Sequence, residues 1–273
     1  MKARGVDDVL NFPFLDPPRT EALSKALLQL HRLSALDASG AITKTGLSMA
    51  RLPLPPPLAR VLLAAAHPSV DVLLPTIDII ACLSVETLFL NLALVSDDKK
   101  DAAESARREL YRRQGDHLTL LATVQAYAAE AVDRKRWAES HFVSHRALQS
   151  VMDVRKQLRA QCILQKLLNA DEHQILLYDD GQSSSSSAQD EVQATKILKA
   201  FLTGFAPNTA RLMPDGGYRT VEGNQQVSIH PSSVLFGKKV EAVMYNELVY
   251  TQKSYARGVS AVQMDWYGEA VGI

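Results

Sequence analysis

The chain has 273 residues, 47% hydrophobic and 22% charged, with 30 Lys and Arg balanced by 30 Asp and Glu. This composition excludes a largely disordered chain, which would be less apolar and more strongly charged. With Cys82 and Cys162 as its only cysteines, the chain is not a disulfide-stapled scaffold either. The length suggests about one to three domains with room for sizeable cores. No apolar run reaches the ~18–20 residues of a membrane span. Those around Ala64 and Ile77 are broken by His67, Pro68, Asp71, Pro75 and Asp78. The start, Met1 to Asp8, has no apolar signal segment. A cytoplasmic or nuclear compartment and no membrane partner are expected.

Three regions are expected, a mainly α architecture with a small β-barrel. In residues 1–70, Asp16-Pro17-Pro18 reads as a helix start. Leu23, Ala26, Leu27, Leu30 and Leu33 then recur at helical spacing. Residues 35–43 turn at Ser39-Gly40 and read as a hairpin. A short helix, Thr45 to Arg51, follows, and residues 53–57, Pro-Leu-Pro-Pro-Pro, read as a rigid extended connector. Helices around a hairpin at this size suggest a winged helix.

Residues 71–205 are nearly all helix-compatible, with Gly or Pro only at Pro75, Gly115, Gly181 and Gly204. Asp101 to Arg113 reads as a charged surface helix. Asp116 can cap a helix from His117, and Ser144 can cap a long helix with a buried stripe of Leu148, Val151, Leu158, Cys162 and Leu167. The serine-rich tract 182–188 reads as a mobile loop, with helix again from Glu191 to Phe205. In residues 206–273 short alternating runs, 226–230, 242–245 and 248–251, read as strands of a small barrel such as an OB-fold.

The zero net charge argues at first against nucleic acid, whose binders are usually basic. Regionally it dissolves: residues 134–166 carry a formal +6 and residues 167–195 a formal −6. Arg155 and Arg159, four apart, would share a helix face that can either track phosphates or be a solvated face paired to acids. No phosphate-binding Gly-rich loop, Cys-x-x-Cys pair or nucleophile elbow is present. His141 and His145 lack the Glu that a zinc-protease helix places after its first His, so no metal is expected. Asp116 beside His117 can be a base with its orienter or, more simply, a cap acid beside a partly buried His. No catalytic residue is assigned.

Several segments together resemble the C-terminal region of DEAH-box RNA helicases. Phe14-Leu15-Asp16-Pro17-Pro18, Ile42-Thr43-Lys44-Thr45-Gly46 and Met49 to Leu54 resemble that family's winged helix. Leu83-Ser84-Val85-Glu86, Gly115-Asp116-His117-Leu118-Thr119, Trp137, Phe142, Arg146 and Val154 to Leu158 resemble its ratchet-like helical domain. Tyr218-Arg219-Thr220, Ser228 to Ser233 and Tyr255-Ala256-Arg257 resemble its OB-fold. Ala138 and His141 stand where the family usually has Cys and Asn. The ratchet region is most similar to nucleolar members acting in ribosome biogenesis.

The resemblance implies three domains, at 1–70, 71–205 and 206–273, forming one side of an RNA tunnel. It implies partners: single-stranded RNA, the family's own RecA-like motor domains, expected before Met1 with their ATP and Mg, and protein regulators on the winged helix or OB-fold. The fragment itself should need no cofactor and be inactive alone, and a nuclear, nucleolar location follows. By their chemistry, Arg155, Arg159, Arg219, His230, Ser232, Ser233 and Lys253 are the RNA-binding candidates, since cations, imidazole and hydroxyls all meet phosphate or 2′-OH. Tyr218 and Tyr255 can stack a base or pack. The alternatives are a protein-docking module without RNA affinity and the same region of a pre-mRNA splicing helicase.

Overall fold

The computed structural model describes residues 1–85, 87–90, 97–169 and 187–271. Ten α-helices and five strands lie among the described residues. The first helix, α1 (Thr20–Arg32), starts later than the Asp-Pro-Pro signal suggests, with Arg19 at its N-cap. Leu36 bridges Ile42 as the expected hairpin. Thr43 caps α2 (Lys44–Met49) by accepting the Gly46 N–H at 2.9 Å. Gly46 is required there: a Cβ would lie 2.2 Å from the Ala35 carbonyl oxygen. The proline run is not an extended connector throughout. Pro56 and Pro57 open α3 (Pro56–Ala65), where a missing N–H costs nothing because the first turn has no intrahelical acceptor for it.

The bundle continues with α4 (Leu73–Leu83), α5 (Asp97–Leu110), α6 (Asp116–Ala129), α7 (Arg134–Ser140), α8 (His145–Leu164) and α9 (Ser187–Phe205). Ser144 caps α8 by accepting the Ala147 N–H at 3.2 Å. Leu148, Val151, Leu158 and Cys162 form its buried stripe; Leu167 lies beyond the helix end and only partly buried. Of the serine-rich tract, residues 182–186 lie outside the described residues, and Ser187 opens α9.

The strands are β1 (Thr209–Leu212), β2 (Tyr218–Thr220), β3 (Gln226–Ile229), β4 (Ala242–Tyr250) and β5 (Ser254–Val262), followed by α10 (Met264–Val271). The two runs at 242–245 and 248–251 are one continuous strand, β4. The barrel closes in the order β1-β2-β3-β5-β4. All pairs are antiparallel except β3 with β5.

One apolar core runs from the winged helix through α3, α4 and α9 to Ala242, Met244 and Val262 of the barrel. Gly204 of α9 lets that helix press onto α3, because a Cβ there would sit 2.3 Å from the Pro57 carbonyl oxygen. A second cluster fills the bundle around Tyr127, Leu148 and Val151, and a third fills the barrel around Tyr218, Leu235 and Val259. Arg32 at the end of α1 pairs with Glu222 in the β2–β3 turn at 2.7 Å, so the winged helix also touches the barrel.

Candidate nucleic-acid interface

Strand alternation decides which barrel side chains face out. Tyr218, Val227, Ile229 and Ala256 are buried, so Arg219, Gln226, Ser228, Tyr255 and Arg257 face outward. Register aligns them: Arg211 opposite Arg219, Arg219 opposite Gln226, and Ser228 opposite Tyr255. The row crosses β1, β2, β3 and β5 and carries cations, amide, hydroxyl and one aromatic ring. Arg219 stays 38% exposed, with Asp215 4.0 Å away. Arg257 pairs with Glu247 at 3.4 Å. Lys253 is exposed at the β4–β5 turn.

His230 follows β3 directly. Its N–H donates to the Ala256 carbonyl at 2.9 Å, and its ring lies edge-on to Tyr255, centroids 5.8 Å apart. Nδ1 accepts the Ser232 N–H at 3.1 Å and lies 2.7 Å from the Ser232 hydroxyl. Nδ1 is therefore the unprotonated nitrogen of the neutral ring, and Nε2 carries the hydrogen. Burial first, then the Arg257 charge, lowers the His230 pKa below its ordinary value. Near pH 7 His230 offers a hydrogen-bond donor and no charge.

The turn after His230 has two sides. Ser232 is exposed, whereas Ser233 is only 7% exposed and faces the bundle. Its hydroxyl accepts the Leu235 N–H at 3.2 Å and, on the same side, helps hold down the Asp116 pKa. Ser233 is thus a structural link, which corrects its place among surface RNA donors. Asp116, expected as a helix cap, caps nothing: Gly115 occupies the N-cap of α6. Its carboxylate reaches into the barrel, where Oδ1 accepts the Val234 N–H at 2.9 Å and Oδ2 the Val259 N–H at 2.7 Å. Burial raises the Asp116 pKa, and these hydrogen bonds oppose the rise. His117 beside it is wholly buried. Its Nδ1 lies 2.8 Å from the Ser260 hydroxyl and its Nε2 3.0 Å from Asn246 Oδ1. A base with its orienter needs access to a substrate; this pair instead fastens α6 to the barrel.

Arg155 and Arg159 are not surface donors either. They are 7% and 5% exposed, because α8 turns them toward α4, where Arg155 Nε donates to Asp78 Oδ1 at 2.6 Å and Arg159 Nη2 lies 3.6 Å from the same oxygen. Neither alternative describes them: the face is buried and not solvated, and its acid is not a near neighbour but lies 77 residues upstream of Arg155. Of the balancing acidic block, Asp171, Glu172, Asp179 and Asp180 lie outside the described residues. Tyr218 is packed inside the barrel, with its hydroxyl donating to the Val240 carbonyl at 3.0 Å.

Three family patterns match in chain order: the winged-helix part of the helicase associated domain (HA2) over residues 26–54, its ratchet-like part over 55–120, and an oligonucleotide/oligosaccharide-binding (OB)-fold over 197–271. The chain is 39% identical over 282 aligned residues to "Probable ATP-dependent RNA helicase DHR2" of Saccharomyces cerevisiae, covering 99% of this chain and 37% of that protein. The chain belongs to the DEAH-box RNA helicase family. It matches the family's C-terminal helicase-associated region. A second relative, "Pre-mRNA-splicing factor ATP-dependent RNA helicase prp22" of Schizosaccharomyces pombe, is 34% identical over 272 residues, covering 98% of this chain and 21% of that protein. The chain therefore spans about a third and a fifth of the lengths of these two helicases.

The OB-fold match of this helicase region takes in α10 and much of α9, which frame the barrel through the Lys199–Glu269 ion pair at 2.7 Å. Five outward residues, Arg211, Gln226, Ser228, Arg257 and Tyr250, were not among the sequence candidates. Arg211 escaped because only the β1–β2 register places it beside Arg219. Tyr250, 79% exposed near the β4–β5 turn, escaped because alternation alone cannot say where a strand outruns its barrel.

Proposed function

We propose that this helicase-associated region holds single-stranded RNA along the outer face of the barrel, as part of an ATP-dependent RNA-remodelling enzyme. The observation that carries it is the register-aligned row of Arg211, Arg219, Gln226, Ser228 and Tyr255, flanked by His230, Ser232, Lys253 and Tyr250. Cations track a phosphate backbone, and aromatic rings stack any base, so the hold is largely independent of sequence. In the whole protein, motor domains with ATP and Mg would supply the energy and close the other side of the RNA path. The similarity of the ratchet region to nucleolar ribosome-biogenesis members supports rRNA remodelling in the nucleolus. The name of the fission-yeast relative supports pre-mRNA splicing as the alternative.

Titrating the chain with labelled oligo-U at about 50 and 200 mM salt tests RNA contact; salt-sensitive binding is expected, and no binding at either salt refutes it. Crosslinking the full-length protein to RNA in cells separates pre-rRNA from pre-mRNA targets.

A second reading, protein docking, rests on a different feature. No residue of α1 is buried, and Leu23, Leu27 and Leu30 line an apolar groove of about 430 Å³ with Ile42, Leu52 and Leu54. Partner capture that survives RNase and is lost on Leu27→Glu would support it. Capture abolished by RNase would count against it.

A further inference from the structure

We propose that Asp116 is a positioning residue for RNA contact: from the first turn of α6 it holds the inner side of the turn whose outer side, His230 and Ser232, faces the RNA. The inference rests on the RNA reading above and adds to it a role for the ratchet-like bundle in shaping the barrel's grip.

The turn is closed by the Ser233 N–H donating to the His230 carbonyl at 2.9 Å and the Phe236 N–H donating to the Ser233 carbonyl at 3.0 Å. Its outer residues are tied together by the His230–Ser232 bonds. Its inner side is bound at the Val234 N–H by one side chain from outside the barrel, the Asp116 carboxylate. The second oxygen of that carboxylate is fixed on Val259 of β5, two residues after Arg257 and three after the Ala256 carbonyl that receives the His230 N–H. One carboxylate thus spans the turn and the neighbouring strand, and both carry outward RNA candidates.

The base of the carboxylate is equally constrained. Gly115, at φ 122°, lies so close that a Cβ would be 2.5 Å from Ser260 Cα. The Ala261 N–H donates to the Gln114 carbonyl at 2.8 Å, and His117 is hydrogen-bonded on both ring nitrogens. With α6 and β5 locked, a displacement of α6 is passed to the turn through Asp116 and does not dissipate in a loop. A hydrogen-bonded buried network of this kind has few alternative arrangements, because any loosened member is left unsatisfied.

The test is a double-mutant cycle on the full 273-residue chain, read as affinity for oligo-U and paired with thermal melting. Asp116→Asn removes one acceptor and sets an NH2 group against a backbone N–H. It should weaken binding by roughly fivefold or more in the wild-type background. It should change binding by less than about twofold once His230→Ala and Ser232→Ala have removed the outer contacts. Ser233→Ala, which deletes the hydroxyl that holds the Leu235 N–H and favours the charged Asp116, should show the same non-additivity more weakly, and it carries the test if Asp116→Asn does not melt cooperatively. A merely structural role would lower the melting temperature without this dependence on His230 and Ser232. If wild type binds RNA and the outer variants weaken it, while the Asp116 effect is absent or simply additive, the positioning role fails and the RNA reading stands. If wild type does not bind, or the outer variants bind as well as wild type, the RNA reading fails and takes this inference with it.

Discussion

His117 and Ser260, one on a bundle helix and one on a barrel strand, exchange two hydrogen bonds. The His117 backbone N–H donates to Ser260 Oγ at 3.2 Å, and the Ser260 hydroxyl in turn donates to His117 Nδ1 at 2.8 Å. With Nδ1 accepting, Nε2 must carry the hydrogen and donate it to Asn246 Oδ1, 3.0 Å away. The neutral ring, which burial favours, is satisfied on both nitrogens only when barrel and bundle are together.

That arrangement has a pH signature. Burial lowers the His117 pKa from 6.5 to about 4. In the unfolded chain the ring binds a proton near its ordinary value of about 6.5. The unfolded state therefore binds more protons between those values, so the contribution of His117, complete above pH 6.5, falls as pH falls toward 4, by on the order of 3 kcal/mol in all. Asp116 runs oppositely: burial raises its pKa above 3.8, so its stabilising contribution is lost as pH rises through the folded value. Urea unfolding of wild type and His117→Gln at pH 7 and pH 5 checks the sign. The variant should be less stable at pH 7 and lose less on going to pH 5; equal losses would refute it.

Asp78 serves two buried guanidiniums at once, 2.6 Å from Arg155 and 3.6 Å from Arg159. Removing a carboxylate from a buried ion pair costs about 3–5 kcal/mol, more than the pair's net worth, because charge is left in an apolar interior. Asp78→Ala should therefore destabilise by about 3 kcal/mol or more in denaturant melts. Arg155→Met should destabilise while leaving the salt dependence of RNA binding unchanged, since Arg155 does not reach the surface.

Gly115→Ala combines a positive φ with a collision against Ser260 and Val259. A loss of about 3 kcal/mol is expected from strain plus displacement. Hydrogen exchange should show it first at Val259, Ser260 and Ala261, whose amides lie at the contact. A uniform effect across the bundle, sparing these amides, would contradict the assignment of the clamp.

The outer face separates charge from hydrogen bonding. Arg219→Ala and Lys253→Ala together should reduce the slope of log affinity against log salt by about 1.4, at roughly 0.7 per phosphate contact on a single strand. His230→Ala should weaken binding with the slope intact, because the ring is neutral. Tyr250→Ala should behave like His230→Ala, losing about 1–3 kcal/mol if a base stacks there. Oligo-U titrations across a salt series measure both quantities.

Much of the architecture was legible in the residues. Scarce Gly and Pro over 71–205, the Ser144 cap and the Leu148-Val151-Leu158 stripe report local preferences and burial periodicity, which tertiary structure seldom reverses. The short alternating runs announced a barrel for the same reason. Partner choice was not legible. Arg155 and Arg159 carry the spacing of a phosphate-tracking face, and nothing local reveals that Asp78, far upstream, claims both. Asp116 stands where a cap would stand, yet its acceptors are used by amides of residues 234 and 259.

By itself, then, the sequence determined that helices fill the middle of the chain and short strands its end, the order of three modules and their likeness to a helicase family, because these follow from periodicity, turn chemistry and ordered motifs. Only the tertiary structure decided which polar groups are spent inside and which remain on the surface. A charged side chain has the same local pattern in both settings. Its role depends on whether folding brings an opposite charge or a set of backbone amides within hydrogen-bonding distance, as it does for Arg155 and Asp116.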